Sequence, residues 1–366
     1  MPSRLDRDRL IELLTRHATP GDEAQVGAVL VREWLRAGWR PRGLGDHAVL
    51  AEAPAPRDPQ APLLLVCAHM DAPGFAVHAC PPAAAPARGG RRASPRWALT
   101  TLGGPVLEGG TTPGWLKCAG GMMDVVIGGG HADGDDADDD GDACPAIFCR
   151  LRPPDSANPL AWTVRPGDRV CFAAAPQLRG DRITSPFLDN RLGCWLVAEL
   201  PRLAREWTSP YRLVVAATGG EEFTGHGAAV LAHHLRPDLT IVLDATYVSA
   251  EQGVRLGGGP VLTLSDRSVL IPPARRDALL DRFARAGLPL QTEVYNTSGT
   301  DAGAFPRQGV FTPVLPLLIP TTGNHSAAET ADLRDAATLL QGIRMLAETT
   351  AQPAGGPSPM VEYSRK

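Results

Sequence analysis

Five side chains of this sequence are of a type that holds metal ions and sit where a fold could bring them together: His69, Asp189, Glu222, Asp244 and His325. Apolar runs lead up to most of them. LLLVCA ends in His69-Met70-Asp71, RLVVAATGG in Glu221-Glu222, TIVL in Asp244, and PVLPLLIPTTGN leads to His325; Asp189 opens the segment that begins Asn190-Arg191. Imidazole and carboxylate together suit zinc, cobalt or manganese. Two such ions ~3.5–4 Å apart can clamp an attacking water and a substrate carbonyl. The arrangement needs a carboxylate shared by the ions, terminal ligands on each, and an unligated carboxylate that takes a proton from water and hands it to the leaving group. His69 and Asp71 are two residues apart, so extended chain puts them on one face, where one can ligate while the other orients its imidazole. Glu221 and Glu222 are adjacent and must diverge, so one can ligate and the other can serve as base.

Each residue alone has a plainer reading. An Asp ahead of a helix is usually a cap, a lone loop histidine is usually solvated, and Glu-Glu pairs are common on surfaces. Five such groups near strand ends, in a chain with 9 histidines, are harder to assign to stability.

The elements that must position them alternate. Residues 5–38 read as two helices, followed by a short strand near residue 48 and the apolar strand that leads to His69. After residue 185, strands at YRLVVAAT, LTIVLDAT and VFTPVLPLL are interleaved with helices at NRLGCWLVAELPRLARE, HGAAVLAHHL, ARRDALLDRFARAG and ADLRDAATLLQGIRMLAETT. This rhythm predicts an α/β fold, a mostly parallel central sheet with helices on both faces, in which ligands bind beyond the carboxyl ends of the strands. Residues 78–177 differ: they are rich in Gly and Pro and carry strand-like pieces at RWALTTL, DVVIGG, AIFCRL and DRVCFAA. They predict a small β-barrel inserted into a catalytic domain formed by 1–77 and 178–352. Within the insert lies the acidic run Asp133–Asp142, of which Asp136–Gly141 matches the first half of a calcium loop but has Ile147 where a bidentate Glu would stand, so a solvated loop over 131–143 is expected. The tail 353–366 is expected to be disordered.

Composition narrows the class. The 366 residues are 43% hydrophobic and 21% charged, with a formal net charge of −4, and form no basic stripe. A nucleic-acid partner is not expected. No apolar run approaches the ~20 residues of a membrane span, and the charged start MPSRLDRDRLIELLTRH lacks the apolar stretch of a signal peptide. A cytoplasmic location is expected, with the 7 cysteines as free thiols.

Taken in order, AHMDAPGF (68–75), LDNRLGC (188–194), TGGEEFTGHGA (218–228), VLDAT (242–246), SGTDA (298–302) and NHSAAE (324–329) resemble the motifs of the TET-type metallo-aminopeptidases. That family includes glutamyl and deblocking aminopeptidases and members that carry an endoglucanase name. The resemblance spans most of the chain and implies a three-layer αβα zinc-peptidase-like domain. It implies two divalent ions per subunit, zinc or cobalt first and manganese also accepted. His69 and Asp244 would be terminal ligands of one ion, Glu222 and His325 of the other, and Asp189 the bridge. Glu221 would be the general base, Asp71 would support the metal site, and Thr300 and Asp301 would line the substrate pocket. The substrate would be a peptide attacked at its free N-terminus. The inserted barrel would serve assembly into a homo-oligomer, in relatives often a tetrahedral dodecamer. The sequence departs from the family at Ala72-Pro73 (usually Glu-Ile), Gly220 (usually Gln) and Thr322 (usually Arg), none of them a ligand or the base. A related di-metal deacylase or carboxypeptidase, and a catalytically silent scaffold, are the alternatives. A metal-free glycosidase would leave the histidines unexplained.

Overall fold

A computed structural model describes residues 5–54, 58, 60–80, 95–129, 147–152 and 158–349. The acidic run 133–142 and the tail from 353 lie outside the described residues. The strands are β1 (Arg40–Leu44), β2 (Ala48–Glu52), β3 (Leu63–His69), β4 (Gly74–Ala79), β5 (Arg96–Leu102), β6 (Thr111–Cys118), β7 (Gly121–Gly129), β8 (Ile147–Leu151), β9 (Arg169–Phe172), β10 (Gln177–Arg179), β11 (Arg182–Ser185), β12 (Arg212–Thr218), β13 (Leu239–Tyr247), β14 (Val261–Ser265), β15 (Gln291–Val294), β16 (Val314–Thr322) and β17 (Glu329–Asp332). The helices are α1 (Arg7–Leu14), α2 (Ala24–Arg36), α3 (Leu188–Leu203), α4 (His226–Leu235), α5 (Pro273–Arg285), α6 (Ala304–Arg307) and α7 (Leu333–Glu348). None is long and apolar enough to cross a membrane.

The main sheet runs β1-β2-β12-β3-β13-β16-β17-β11-β10, with β14 and β15 branching from β16. Its centre, β12-β3-β13-β16, is parallel. β3 is buried at every position. Leu64, Val66 and Ala68 pack into a core shared with α1, α2, α3 and α7. Leu63, Leu65 and Cys67 point the other way, into a second core with Leu231 and Ala232 of α4 and Phe305 of α6. A strand covered on both faces reads as unbroken apolar sequence, and this one does.

The second unit is a closed barrel, β4-β5-β8-β7-β6-β9. Its strands run from Gly74 to Phe172, so the first begins a few residues ahead of the expected 78. Four of its members match the strand-like pieces seen in the sequence; β4 and β6 do not. β6, TTPGWLKC, carries Pro113 and Gly114 in its interior. Gly114 is required there, because a Cβ would stand 2.7 Å from Ile127 Cδ1 and 2.9 Å from the Cys171 carbonyl.

α3 sits between sheet and outer helices, buried at every position except Arg202. The Trp34 indole of α2 donates to the Val197 carbonyl at 2.8 Å, and Trp195 of α3 donates to the Asp6 carbonyl at 2.7 Å. Gly193 lets α3 approach β3: a Cβ there would lie 2.8 Å from Ala68 Cβ. The helix thereby brings its first turn, with Asp189, to the end of β3.

Candidate metal centre

The parallel strands end at one edge of the sheet. Thr218, at the end of β12, is in register with His69, at the end of β3. On the other side of β3, Leu243 is in register with Ala68, which sets Asp244 level with His69. His69 and Asp244 are forced together by strand register alone. His69 Nε2 lies 3.0 Å from Asp244 Oδ1 and 3.3 Å from Asp189 Oδ1. The opposite oxygen of Asp189 faces His325 Nε2 at 3.6 Å, and Glu222 Oε2 lies 3.6 Å from the same nitrogen. The donors fall into three overlapping sets, His69-Asp189-Asp244, Asp189-Glu222-His325 and His69-Glu221-Glu222, each with ligand atoms within 4.8 Å of one another. Asp189 is common to the first two. Glu221 approaches the cluster from the loop after β12, within the same 4.8 Å limit of His69 and Glu222.

Electrostatically the site is short of positive charge. Asp71, Asp189, Glu221, Glu222, Asp244, Asp301 and Glu329 converge on two imidazoles. Burial pushes Glu221 and Glu222 well above the usual carboxylate range, and Asp244 up to about 6. His69 is raised well above its ordinary value: burial opposes protonation, but Asp244 and Asp189 outweigh it. Asp189 is lowered by His325 and His69 against its own burial. Asp189 Oδ1 and Glu222 Oε1 are buried and accept no hydrogen bond. Such orphaned anionic oxygens are costly unless a cation meets them. The donor set, mixed imidazole and carboxylate, fits zinc, cobalt or manganese.

Beneath these groups lies a layer that holds the main chain. Asp71 accepts the backbone N–H of Glu221 on Oδ1 and that of Glu222 on Oδ2, both at 3.1 Å. His69 Nδ1 is nearer to the main-chain oxygen of Asp71 (3.1 Å) than to its carboxylate (3.7 Å). The orienting contact to the imidazole therefore comes from the Asp71 backbone, and the side chain fixes the two glutamates. Glu329 was not singled out in the sequence, and it does the same on the other flank. Its Oε2 accepts the Asp189 N–H at 2.9 Å and its Oε1 the His325 N–H at 2.8 Å. Burial beside Asp189 pushes it up to about 8. His325 holds a left-handed backbone (φ 66°), a conformation uncommon for residues other than glycine and clustered at functional sites. The barrel helps to hold it: His325 Nδ1 lies 3.2 Å from the Gly104 carbonyl, and Val106 N–H donates to the His325 carbonyl at 2.9 Å.

Asn190, also missed in the sequence, donates to the Leu243 carbonyl at 2.7 Å and accepts the Gly193 N–H at 3.0 Å. It ties α3 to β13 next to Asp244. Thr300 lines the opening of the site. Asp301 lies deeper, accepting the Thr218 hydroxyl at 2.5 Å, and burial pushes it up to about 7. Of the departures, Gly220 has φ 73°, where glycine is at ease; Ala72 is buried and Thr322 exposed.

The model of the M42 glutamyl aminopeptidase family matches residues 146–341, more than half of the chain. The chain belongs to that family. Among curated M42-like relatives, a putative aminopeptidase of Acetivibrio thermocellus is 31% identical over 187 residues, covering 50% of this chain and 55% of that protein. The match thus spans about half the length of that relative. The glutamyl aminopeptidase of Lactococcus lactis subsp. cremoris is 28% identical over 326 residues, covering 81% of this chain and 83% of its own. The fold is shared with the TET1 peptidase of Pyrococcus horikoshii, which can assemble into a tetrahedron or a large octahedral shell. The TM-score is 0.76 at 22% identity, over 94% of this chain and 99% of that one.

Proposed function

We propose that this M42 member is an aminopeptidase that binds two divalent ions, zinc or cobalt by preference and manganese as an accepted substitute. The observation that carries the reading is the sharing of Asp189 between two compact donor sets. His69 and Asp244 would hold one ion, Glu222 and His325 the other, with Asp189 common to both. When bound, such a pair supplies Lewis-acid polarisation of the scissile carbonyl and a more acidic water.

This chain's own residues do the rest. Glu221 is the general base: it takes the proton of the attacking water and returns it to the leaving amine. It is suited to this because its neighbour Glu222 turns toward His325 while both backbone amides are pinned by Asp71. Burial raises its proton affinity, which favours taking the proton from the water. Thr300 lines the substrate entrance, and Asp301 supports the floor behind it through Thr218. The segment 78–177, as an inserted barrel, serves assembly into a homo-oligomer, with a tetrahedral dodecamer as the expected form. The loop Gly103–Val106 would make the site sensitive to that assembly.

Metal-stripped protein titrated with zinc, cobalt or manganese tests the reading. Activity should return near two equivalents on free aminoacyl substrates, remain absent on N-acetylated ones, and be lost in Glu221→Gln. Cleavage of blocked substrates alone would point to a deacylase. Binding of two ions without cleavage of any substrate would point to a scaffold. Failure to bind metal would sink the assignment altogether.

A further inference from the structure

The cavity of about 90 Å³ that holds the ligand cluster also reaches along β13, β14, β15 and the loop 298–300. An enzyme that removes one residue from a peptide end needs a recess beside the reacting centre for that residue's side chain. Its inner wall carries Glu293, which is 5% exposed. The two carboxylate oxygens of Glu293 accept the hydroxyls of Thr246 (2.6 Å) and Thr263 (2.7 Å). Both partners are neutral, so the charge is uncompensated, and each oxygen retains a lone pair. Asp266, on the same lining, accepts the N–H groups of Ser268 (2.7 Å) and Val269 (2.6 Å), both on Oδ1. Asp266 thus lines the cavity with one oxygen, Oδ1, engaged by backbone amides. No Lys or Arg is among the described residues that line the recess.

We propose that this pocket receives the side chain of the substrate's N-terminal residue and selects a cationic one, lysine or arginine, through Glu293 and Asp266. The inference rests on the aminopeptidase reading above and names its substrate class. Distance supports it. Thr246, which holds Glu293, stands two residues beyond Asp244 on the same face of β13, roughly 7 Å along the strand. A peptide carbonyl held at the ligand cluster leaves that span to be crossed by the side chain of the first residue, and the long flexible stem of lysine or arginine crosses it. Tyr247 and Tyr295, with ring centroids 5.7 Å apart, flank the pocket and offer apolar faces to such a stem. Burial pushes both Glu293 and Asp266 above the usual carboxylate range, as expected of anions that lack a counter-charge.

A rival recess favours the opposite charge. It opens on the other side of Glu221 and Glu222 and carries Arg267, Arg307 and His226. Its arginines are exposed, and the recess is wider, at about 500 Å³. An open cationic surface of this kind suits the departing part of a peptide, with its terminal carboxylate.

The experiment compares kcat/KM of the metal-loaded full-length protein on Lys-, Arg-, Leu- and Glu-p-nitroanilide. Lys and Arg should exceed Leu by roughly tenfold to hundredfold, the worth of a hydrogen bond to a charged group, with Glu slowest. A preference for Leu or Glu would overturn the inference and leave the aminopeptidase reading intact. No turnover of any of the four would remove both. Glu293→Gln and Asp266→Asn should each lower the Lys-to-Leu ratio by about tenfold or more. A uniform slowing of all four substrates would show instead that these carboxylates hold the α-amine or the fold, and would also overturn the proposal. The wild-type panel decides the matter even if a variant does not fold.

Discussion

Two groups of buried carboxylates meet at this site, and their hydrogen bonding separates them. Asp71 and Glu329 have both oxygens occupied by backbone amides, those of Glu221 and Glu222 in one case and of Asp189 and His325 in the other. Asp189 and Glu222, only a few ångströms away, keep a buried oxygen with no partner. Residue type is the same in both groups. What differs is whether the surrounding chain offers donors. Where it does, the carboxylate shapes the backbone. Where it does not, the carboxylate is left for a cation. Unmet hydrogen-bonding capacity thus separates Asp189 and Glu222 from Asp71 and Glu329, although Asp301 also keeps an unpartnered oxygen and Asp244 does not.

The sharpest way to break this distinction is at Asp189. Asp189→Asn should cost the protein both ions, read directly as bound metal, and turnover with them. Glu221→Gln comes next: kcat should fall by about 10²–10⁴, while bound metal stays as in the wild type. If metal is lost as well, Glu221 belongs among the ligands. Glu329→Gln tests the supporting group. It removes an acceptor for two amides, and metal affinity should weaken by roughly 10–100-fold. A loss as complete as that of Asp189→Asn would erase the difference between the groups.

The smallest effect concerns stability and pH. Glu329 is pushed up to about 8, and Glu23, buried beside Asp71, up to about 7. In metal-free protein these raised carboxyls hold protons that the unfolded chain releases. Their contribution is present in full below pH ~4.5 and is lost as the pH rises through about 7–8. The melting temperature of the stripped protein should therefore fall by a few degrees between pH 5 and pH 8. Asp189, lowered by its histidines, stays ionised throughout this window and adds no slope to it; its contribution is lost only at more acid pH. Added metal should raise the melting temperature and flatten this slope. A stripped protein that melts at the same temperature across that range would show that the excess charge is relieved without metal.

Legibility in the sequence followed burial. β3, β12, β13 and β16 are packed on both faces, so each announces itself as an apolar run, and the residue that ends each run falls on the edge where chemistry occurs. β14 and β15 could not be read this way. They are short and lateral, and QTEV mixes polar and apolar residues because one side faces the pocket. β6 was hidden by a proline and a glycine that the barrel accommodates and a simple strand pattern forbids. The proposed ligands and the proposed base stood at motif positions. Glu329 stood in a motif too, in NHSAAE, but an acid four residues past a histidine looks like any other. Only the fold shows that it spans two amides 136 residues apart, those of Asp189 and His325. The role of Asp71 was half legible: its nearness to His69 follows from spacing, whereas the donation from residues 221 and 222 depends on the turn after β12.

The pocket walls have a consequence for descent. β14 joins the main sheet through two residue pairs on β16, and β15 pairs only with β14. The strands that frame side-chain choice thus hang from the sheet as a branch, apart from the ladder whose register brings His69 and Asp244 together. If the pocket selects as proposed, substitutions on that branch would change the preferred terminal residue and leave the His69–Asp244 ladder as it is. A lineage could then trade one preferred residue for another by small steps.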